Sequence, residues 1–226
     1  MQAQRATLTP RPRLQGLYAV TPDTHETDLL VAKVTAALLG GAQAIQYRNK
    51  TGPAALKRDQ AQRIARLCAQ NGVLMIVNDD PELAAAVGAD GVHLGRDDGD
   101  VASARAQVGE TRLIGVSCYG DMARAQQAVE QGADYVAFGS FFPSRVKREA
   151  AHADSSLLTR ARMLGVPVVA IGGITAGNVR LLVDAGADAV AVITDVFGYD
   201  EPAAVTRAAA AIATSFSIKS PRERHD

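Results

Sequence analysis

Eight short apolar runs recur along the chain, each parted from the next by a segment of helical apolar spacing, and this alternation limits the fold more than any single residue. The runs cover residues 16–20, 43–47, 73–77, 91–94, 112–117, 134–138, 167–171 and 189–193, and they are rich in Val, Ile, Ala and Tyr. Between them lie patterns such as Leu29-Leu30-Val34-Leu38 and Leu56-Ile64-Leu67, with Pro or Gly at most joins. Strands that alternate with helices build a parallel sheet, because a parallel pair needs a long crossover. Eight such units predict an α/β fold, a single (β/α)8 barrel. The open doubly wound alternative calls for a GxGxxG turn after the first strand, where this chain has Thr21-Pro22-Asp23.

A chain of 226 residues suits one such domain, expected over 15–215, with flexible tails at 1–14 and 216–226. The phrase Gly-Ala-Asp recurs at 88–90, 132–134 and 186–188, with a looser copy at Gly41-Ala42-Gln43. It reads as structural: Gly ends a helix, Ala packs tightly, and Asp opens the next strand from a solvated turn. Lys plus Arg balances Asp plus Glu at 24 each, so no global field draws nucleic acid or an anionic membrane, and any anion site must be built locally. Cys68 and Cys118 form no CxxC pair, which fits a reduced, cytoplasmic protein. No run approaches the roughly 18 consecutive apolar residues of a membrane span, and the Arg-bearing N-terminus lacks the apolar core of a secretion signal.

Chemistry is expected at the C-terminal ends of barrel strands, and polar residues crowd there. Gln46, Arg48 and Lys50 alternate at the end of the second run, so a period of two points them the same way, toward a polar ring and a multiply charged anion. Asn78-Asp79 and Asp97-Asp98 follow the third and fourth runs; paired with cations, such carboxylates suit Mg2+ bound to phosphate. Asp80 before Pro81 reads as a helix cap, and capping is also a credible role for Asp97 and Asp98. Gly172-Gly173 after the seventh run and Thr194 after the eighth match the common barrel phosphate seat. The basic loop from Phe138 to Arg148 reads as an anion-binding lid, and His93, inside a strand, as a satisfied core histidine.

The ordered set QYRNK, VNDD, GVHLGRDD, GVS, ADYVAFG with FFPS and Lys147, AIGGIT and AVIT resembles the thiamine-phosphate synthase family from about Gly16 to Phe197. The resemblance implies a transferase that joins an aminopyrimidine-methyl pyrophosphate to a thiazole-ethyl phosphate, giving thiamine monophosphate and pyrophosphate with Mg2+. It implies that Gln46 holds the pyrimidine, that Arg48, Lys50, Asn78 and Lys147 grip the pyrophosphate, and that Asp79 and Asp98 hold the metal. Ser117 would contact the pyrimidine substrate, while Ser144, Gly173, Ile193 and Thr194 would seat the thiazole phosphate. Arg48, Lys50, Lys147 and Ser117 form its catalytic set. The implied partners are these small molecules, with no nucleic acid and no membrane; assembly as a homo-oligomer is left open.

The chain departs from the family pattern at Val146, where a hydroxyl is usual, at Tyr119 for His, at Arg96 for Gln and at Ser140 for Pro. Two other readings compete. A thiazole tautomerase of the same superfamily would need a histidine near Tyr119, and a non-catalytic barrel would bind a thiamine-pathway phosphate without turnover.

Overall fold

The computed structural model describes residues 12–96, 98–143 and 153–217. Eight parallel strands close on themselves in chain order: β1 (Gly16–Val20), β2 (Ala42–Tyr47), β3 (Leu74–Asn78), β4 (Gly91–Leu94), β5 (Leu113–Tyr119), β6 (Tyr135–Phe138), β7 (Val168–Ile171) and β8 (Ala189–Val192), with β8 pairing back onto β1. The predicted (β/α)8 barrel is therefore the observed fold. The strand that differs most from its predicted extent is β5, which runs two residues past 117. A register shift between Ser117 and Tyr119 carries Tyr119 to the rim opposite Phe138.

The helices cover the outside: α1 (Thr27–Leu39), α2 (Ala54–Asn71), α3 (Pro81–Val87), α4 (Val101–Val108), α5 (Met122–Glu130), α6 (Ser156–Ala161), α7 (Val179–Ala185), the short α8 (Thr194–Phe197) and α9 (Pro202–Ser217). No helix among the described residues is long and apolar enough to cross a membrane. Alternation along the strands divides the core in two. Outward residues such as Ile45, Val77, Val92, Ile114, Val136 and Val190 pack under the helices, while Tyr18, Ala44, Ile76, Leu113, Tyr135, Val169 and Ala189 fill the barrel. Gly115 is decided by that filling: a Cβ there would fall inside the ring of Tyr135, the fully buried aromatic that spans the interior.

Two boundary expectations need correction. Leu14, assigned to the N-terminal tail, is buried in the barrel interior cluster, and Arg13 pairs with Asp188 at 3.0 Å. At the other end α9 continues through Ser217, because Phe216 packs against the outer core.

The Gly-Ala-Asp phrases also do more than open strands. Asp90, Asp134 and Asp188 each bond both the carbonyl and the amide of one residue in the preceding strand: Met75, Ile114 and Val168 respectively. The backbone N–H of the aspartate donates to that carbonyl, and its carboxylate accepts from that amide at 2.7–2.9 Å. These carboxylates are clips between neighbouring strands at the foot of the barrel, so the expected solvated turn is replaced by a structural contact.

Candidate active site at the mouth of the barrel

The opposite, C-terminal end of the barrel gathers the residues that the sequence singles out. Thr21, fully buried after β1, accepts from the amide of Arg48 at 2.8 Å and donates to the Arg48 carbonyl at 3.0 Å, which extends the β1–β2 pairing past the last strand residue. Asp23 then holds the next stretch. Its carboxylate accepts from the Arg48 guanidinium at 3.0 Å and from the Lys50 amide at 2.6 Å. Asn49, buried and bonded to Thr24 and Gln60, pins the loop from beneath, so this segment is a built ledge and not a solvated loop.

On that ledge the three alternating residues do not share one partner. Gln46 is only 5% exposed and lies inside the barrel, donating from Nε2 to the Tyr18 hydroxyl at 2.7 Å. Arg48 leans toward β1 through Asp23, and Lys50 reaches toward β3, with Nζ 3.0 Å from Asp79 Oδ2. The sequence period thus gives an amide floor with one cation on each side of it.

Asp79 stands immediately after β3 with φ of 62°, a left-handed conformation uncommon for a residue with a side chain. Its amide donates to the His93 carbonyl at 2.8 Å. Asp98 comes from the loop after β4 and accepts from the Gly95 amide at 2.9 Å. Burial, followed by the adjoining Asp79 carboxylate, pushes the Asp98 carboxyl above its ordinary range, while the Gly95 amide and Lys50 oppose the shift. Lys50, Asn78 and Asp79 line a pocket of about 340 Å³, which Lys57 also borders. No group of three or more His, Cys, Asp or Glu residues able to hold a metal occurs among the described residues. Two adjoining carboxylates, of which Asp79 lines that pocket, do fit Mg2+, which takes one or two carboxylates and completes its shell with water and phosphate oxygens. Capping falls to other aspartates, Asp80 for α3 and Asp100 for α4. Asp97 lies outside the described residues.

Below the mouth, hydrogen bonds link Gln46 to Tyr18, Tyr18 to Tyr135 at 3.0 Å, Tyr135 to His93 Nδ1 at 3.0 Å, and His93 Nε2 to Ser117 Oγ at 2.9 Å. His93 is a satisfied buried histidine, as expected; burial pushes its pKa down to about 4. The tyrosines were not singled out from the sequence, and only the barrel's closure could bring β1 and β6 together across its interior.

On the far side, Gly172 and Gly173 follow β7, both at positive φ. A Cβ on Gly173 would approach the Phe142 and Pro143 carbonyls at 2.5–2.6 Å, so only glycine lets this loop meet the one after β6. Ile193 and Thr194 open α8, where the Ile193 carbonyl accepts from the amides of Val196 and Phe197. In the β6 loop, Phe141 is buried and the amides of Phe141 and Phe142 donate to Ile171 and Gly172. Ser144, Val146 and Lys147, with the rest of the predicted lid over 144–148, lie outside the described residues. Two departures from the family pattern prove to be neighbours: the Arg96 guanidinium lies 4.5 Å from the centre of the Tyr119 ring.

The family model for thiamine monophosphate synthase matches residues 17–196. The chain belongs to the thiamine-phosphate synthase family. It is 55% identical over 199 residues to the thiamine-phosphate synthase of Chromobacterium violaceum, covering 88% of this chain and 96% of that one. It is 52% identical over 205 residues to the enzyme of that name from Thiobacillus denitrificans, covering 90% and 96%. Among solved structures, a thiamine phosphate pyrophosphorylase from Pyrococcus furiosus superposes with a TM-score of 0.80 at 32% identity, covering 90% of this chain and 96% of that one. The expectation of a transferase of thiamine biosynthesis is thereby borne out.

Proposed function

We propose that this mouth binds the aminopyrimidine-methyl pyrophosphate and the thiazole-ethyl phosphate and joins them into thiamine monophosphate, releasing pyrophosphate. The observation that carries this reading is the convergence of Asp79, Asp98 and Lys50 above a floor made by Gln46 and Ser117. The reaction breaks the bond between the pyrimidine methylene carbon and a pyrophosphate oxygen, and forms one from that carbon to the thiazole nitrogen. The departing oxygen gains negative charge, so the barrier falls where fixed positive charge awaits it.

Lys50 and Arg48 supply that charge from the β2 ledge, joined by Lys147 from the segment after β6, while Asn78 adds a neutral amide donor to the pyrophosphate. Asp79 and Asp98 would hold Mg2+, which when bound would supply Lewis-acid stabilisation of negative charge on phosphate. Gln46 and Ser117 orient the pyrimidine, and Gly173, Ile193, Thr194 and Ser144 seat the thiazole phosphate. A protein nucleophile is not required. The described candidates fit that account: burial pushes the Cys68 and Cys118 thiols up to about 12, and both His93 nitrogens are engaged. The position near Tyr119 that a tautomerase would give to histidine is taken by the contact with Arg96. The partners on this reading are the two small molecules, and the compartment is the cytoplasm.

The test is pyrophosphate release with both substrates and Mg2+, each omitted in turn. Release that needs all three, with thiamine monophosphate formed in equal amount, is expected. Binding of either substrate without release would leave a non-catalytic barrel.

A further inference from the structure

The hydrogen bonds beneath the mouth form one unbranched path through five residues on five strands: Gln46, Tyr18, Tyr135, His93 and Ser117. Tyr18 and Tyr135 are closed to solvent, and no buried side-chain nitrogen or oxygen among the described residues lacks a partner. Such a path has a direction, because each hydroxyl has one proton to give. Gln46 Nε2 can only donate, and it donates to Tyr18. The Tyr18 proton then goes to Tyr135, the Tyr135 proton to His93 Nδ1, and His93 must carry its single proton on Nε2, which donates to Ser117 Oγ. The Ser117 proton is left to point out of the path.

The other states of His93 break this count. With a proton on Nδ1, as in the second tautomer or the imidazolium, His93 would donate to Tyr135 and turn that hydroxyl toward Tyr18. Tyr18 would then receive two donors and keep a proton with no acceptor in a closed interior. A reversed Gln46 amide would cure this only if both tyrosine protons and the histidine tautomer reversed together.

We propose that Tyr18, Tyr135 and His93 are positioning residues that fix a one-way hydrogen-bond relay, so that its two ends offer an acceptor, Gln46 Oε1, on β2 and a donor, the Ser117 hydroxyl, on β5. This deepens the reading of Gln46 and Ser117 as pyrimidine contacts and rests on it. The relay selects a ring that brings an N–H donor to Gln46 and a lone pair to Ser117. An exocyclic amino group meets the first demand. An oxo group at the same place would set acceptor against acceptor, and accommodating it would require every proton of the relay to reverse.

The first measurement needs no substrate. Nitrogen-15 spectra of the histidine-labelled full chain, with His93 assigned by its loss in His93→Gln, are expected to show Nε2 protonated and Nδ1 bare across about pH 6 to 8. A proton on Nδ1 in that range would overturn the relay whatever the protein catalyses. The second measurement is Tyr135→Phe, which removes one oxygen and keeps the ring. Its KM for the aminopyrimidine pyrophosphate should rise roughly tenfold, with the KM for the thiazole phosphate unchanged. Preference for the amino over the oxo analogue, read from competitive inhibition, should fall by about the same factor. Equal changes in both KM values, or an unchanged preference, would make Tyr135 merely structural. Absence of turnover in the unmodified chain would instead sink the functional reading, and the tautomer result would stand apart from it.

Discussion

The two ends of this barrel use aspartate for opposite purposes. At the foot, Asp90, Asp134 and Asp188 spend their carboxylates on backbone amides of the neighbouring strand, and Arg105 and Arg13 complete the coordination of Asp134 and Asp188. At the mouth, Asp79 and Asp98 adjoin each other, one in a left-handed backbone conformation and the other with its acidity weakened. A carboxylate whose partners are fixed donors lowers the energy of the fold. A carboxylate set against another carboxylate raises it, and Lys50, 3.0 Å from Asp79, offsets only part of that cost.

The largest effect that would break this contrast lies at the foot. The Asp134–Arg105 pair is mostly buried, with side chains 10% and 14% exposed. Asp134→Ala should cost about 3 to 5 kcal/mol of unfolding free energy by leaving Arg105 without its carboxylate and Ile114 without its clip. Turnover per folded molecule should be unchanged. Denaturant titration alongside pyrophosphate release measures both, and a selective loss of turnover would put the chemistry at the wrong end.

Asp98→Asn is the mirror case. It should lower turnover by about a hundred- to a thousandfold, as removing one stabiliser of developing charge does. The thermal midpoint should hold or rise, because the substitution relieves the repulsion from Asp79. A large drop in that midpoint with turnover intact would make Asp98 another structural clip.

A third outcome concerns the interior between the two ends. Burial lowers His93 from about 6.5 to about 4, outweighing the attraction of Asp79. Between those values the unfolded chain binds a proton that the folded one refuses, so stability falls as pH drops from about 6.5 toward 4 and is insensitive to this group above that window. The full loss is about 3 kcal/mol. Denaturant midpoints against pH should show this fall, and His93→Gln should flatten the His93 part of it.

The smallest effect belongs to the rim. Arg96→Ala removes an exposed cation over Tyr119 and should cost about 0.5 to 1 kcal/mol. A loss of turnover near that of Asp98→Asn would show that Arg96 touches substrate.

Much of the architecture was legible in the chain because strand and helix periods are local. All eight apolar runs became strands, and the absence of a GxGxxG turn after Gly16–Val20 spoke correctly for closure. The positions of Gln46, Lys50, Asp79 and Asp98 were legible for the same reason, since Gln46 is the next-to-last residue of β2 and the others follow strand ends. Asp23, Thr21, Tyr18 and Tyr135 were not. Their roles depend on partners 25 to 117 residues away, and no local pattern distinguishes a tyrosine in a relay from one in a core. Leu14 was missed because a lone leucine before the first strand has no period to reveal it.

By itself the sequence determined the order of strands and helices, the end of the barrel that carries charge, and the family. Those follow from residue type and spacing, which the chain carries whether folded or not. Tertiary structure alone decided which aspartates are clips and which are crowded, which way Arg48 and Lys50 lean, and that Gln46 and Ser117 are two ends of one path. These are relations between strands, and they exist only once closure brings β1, β2, β4, β5 and β6 around a common interior.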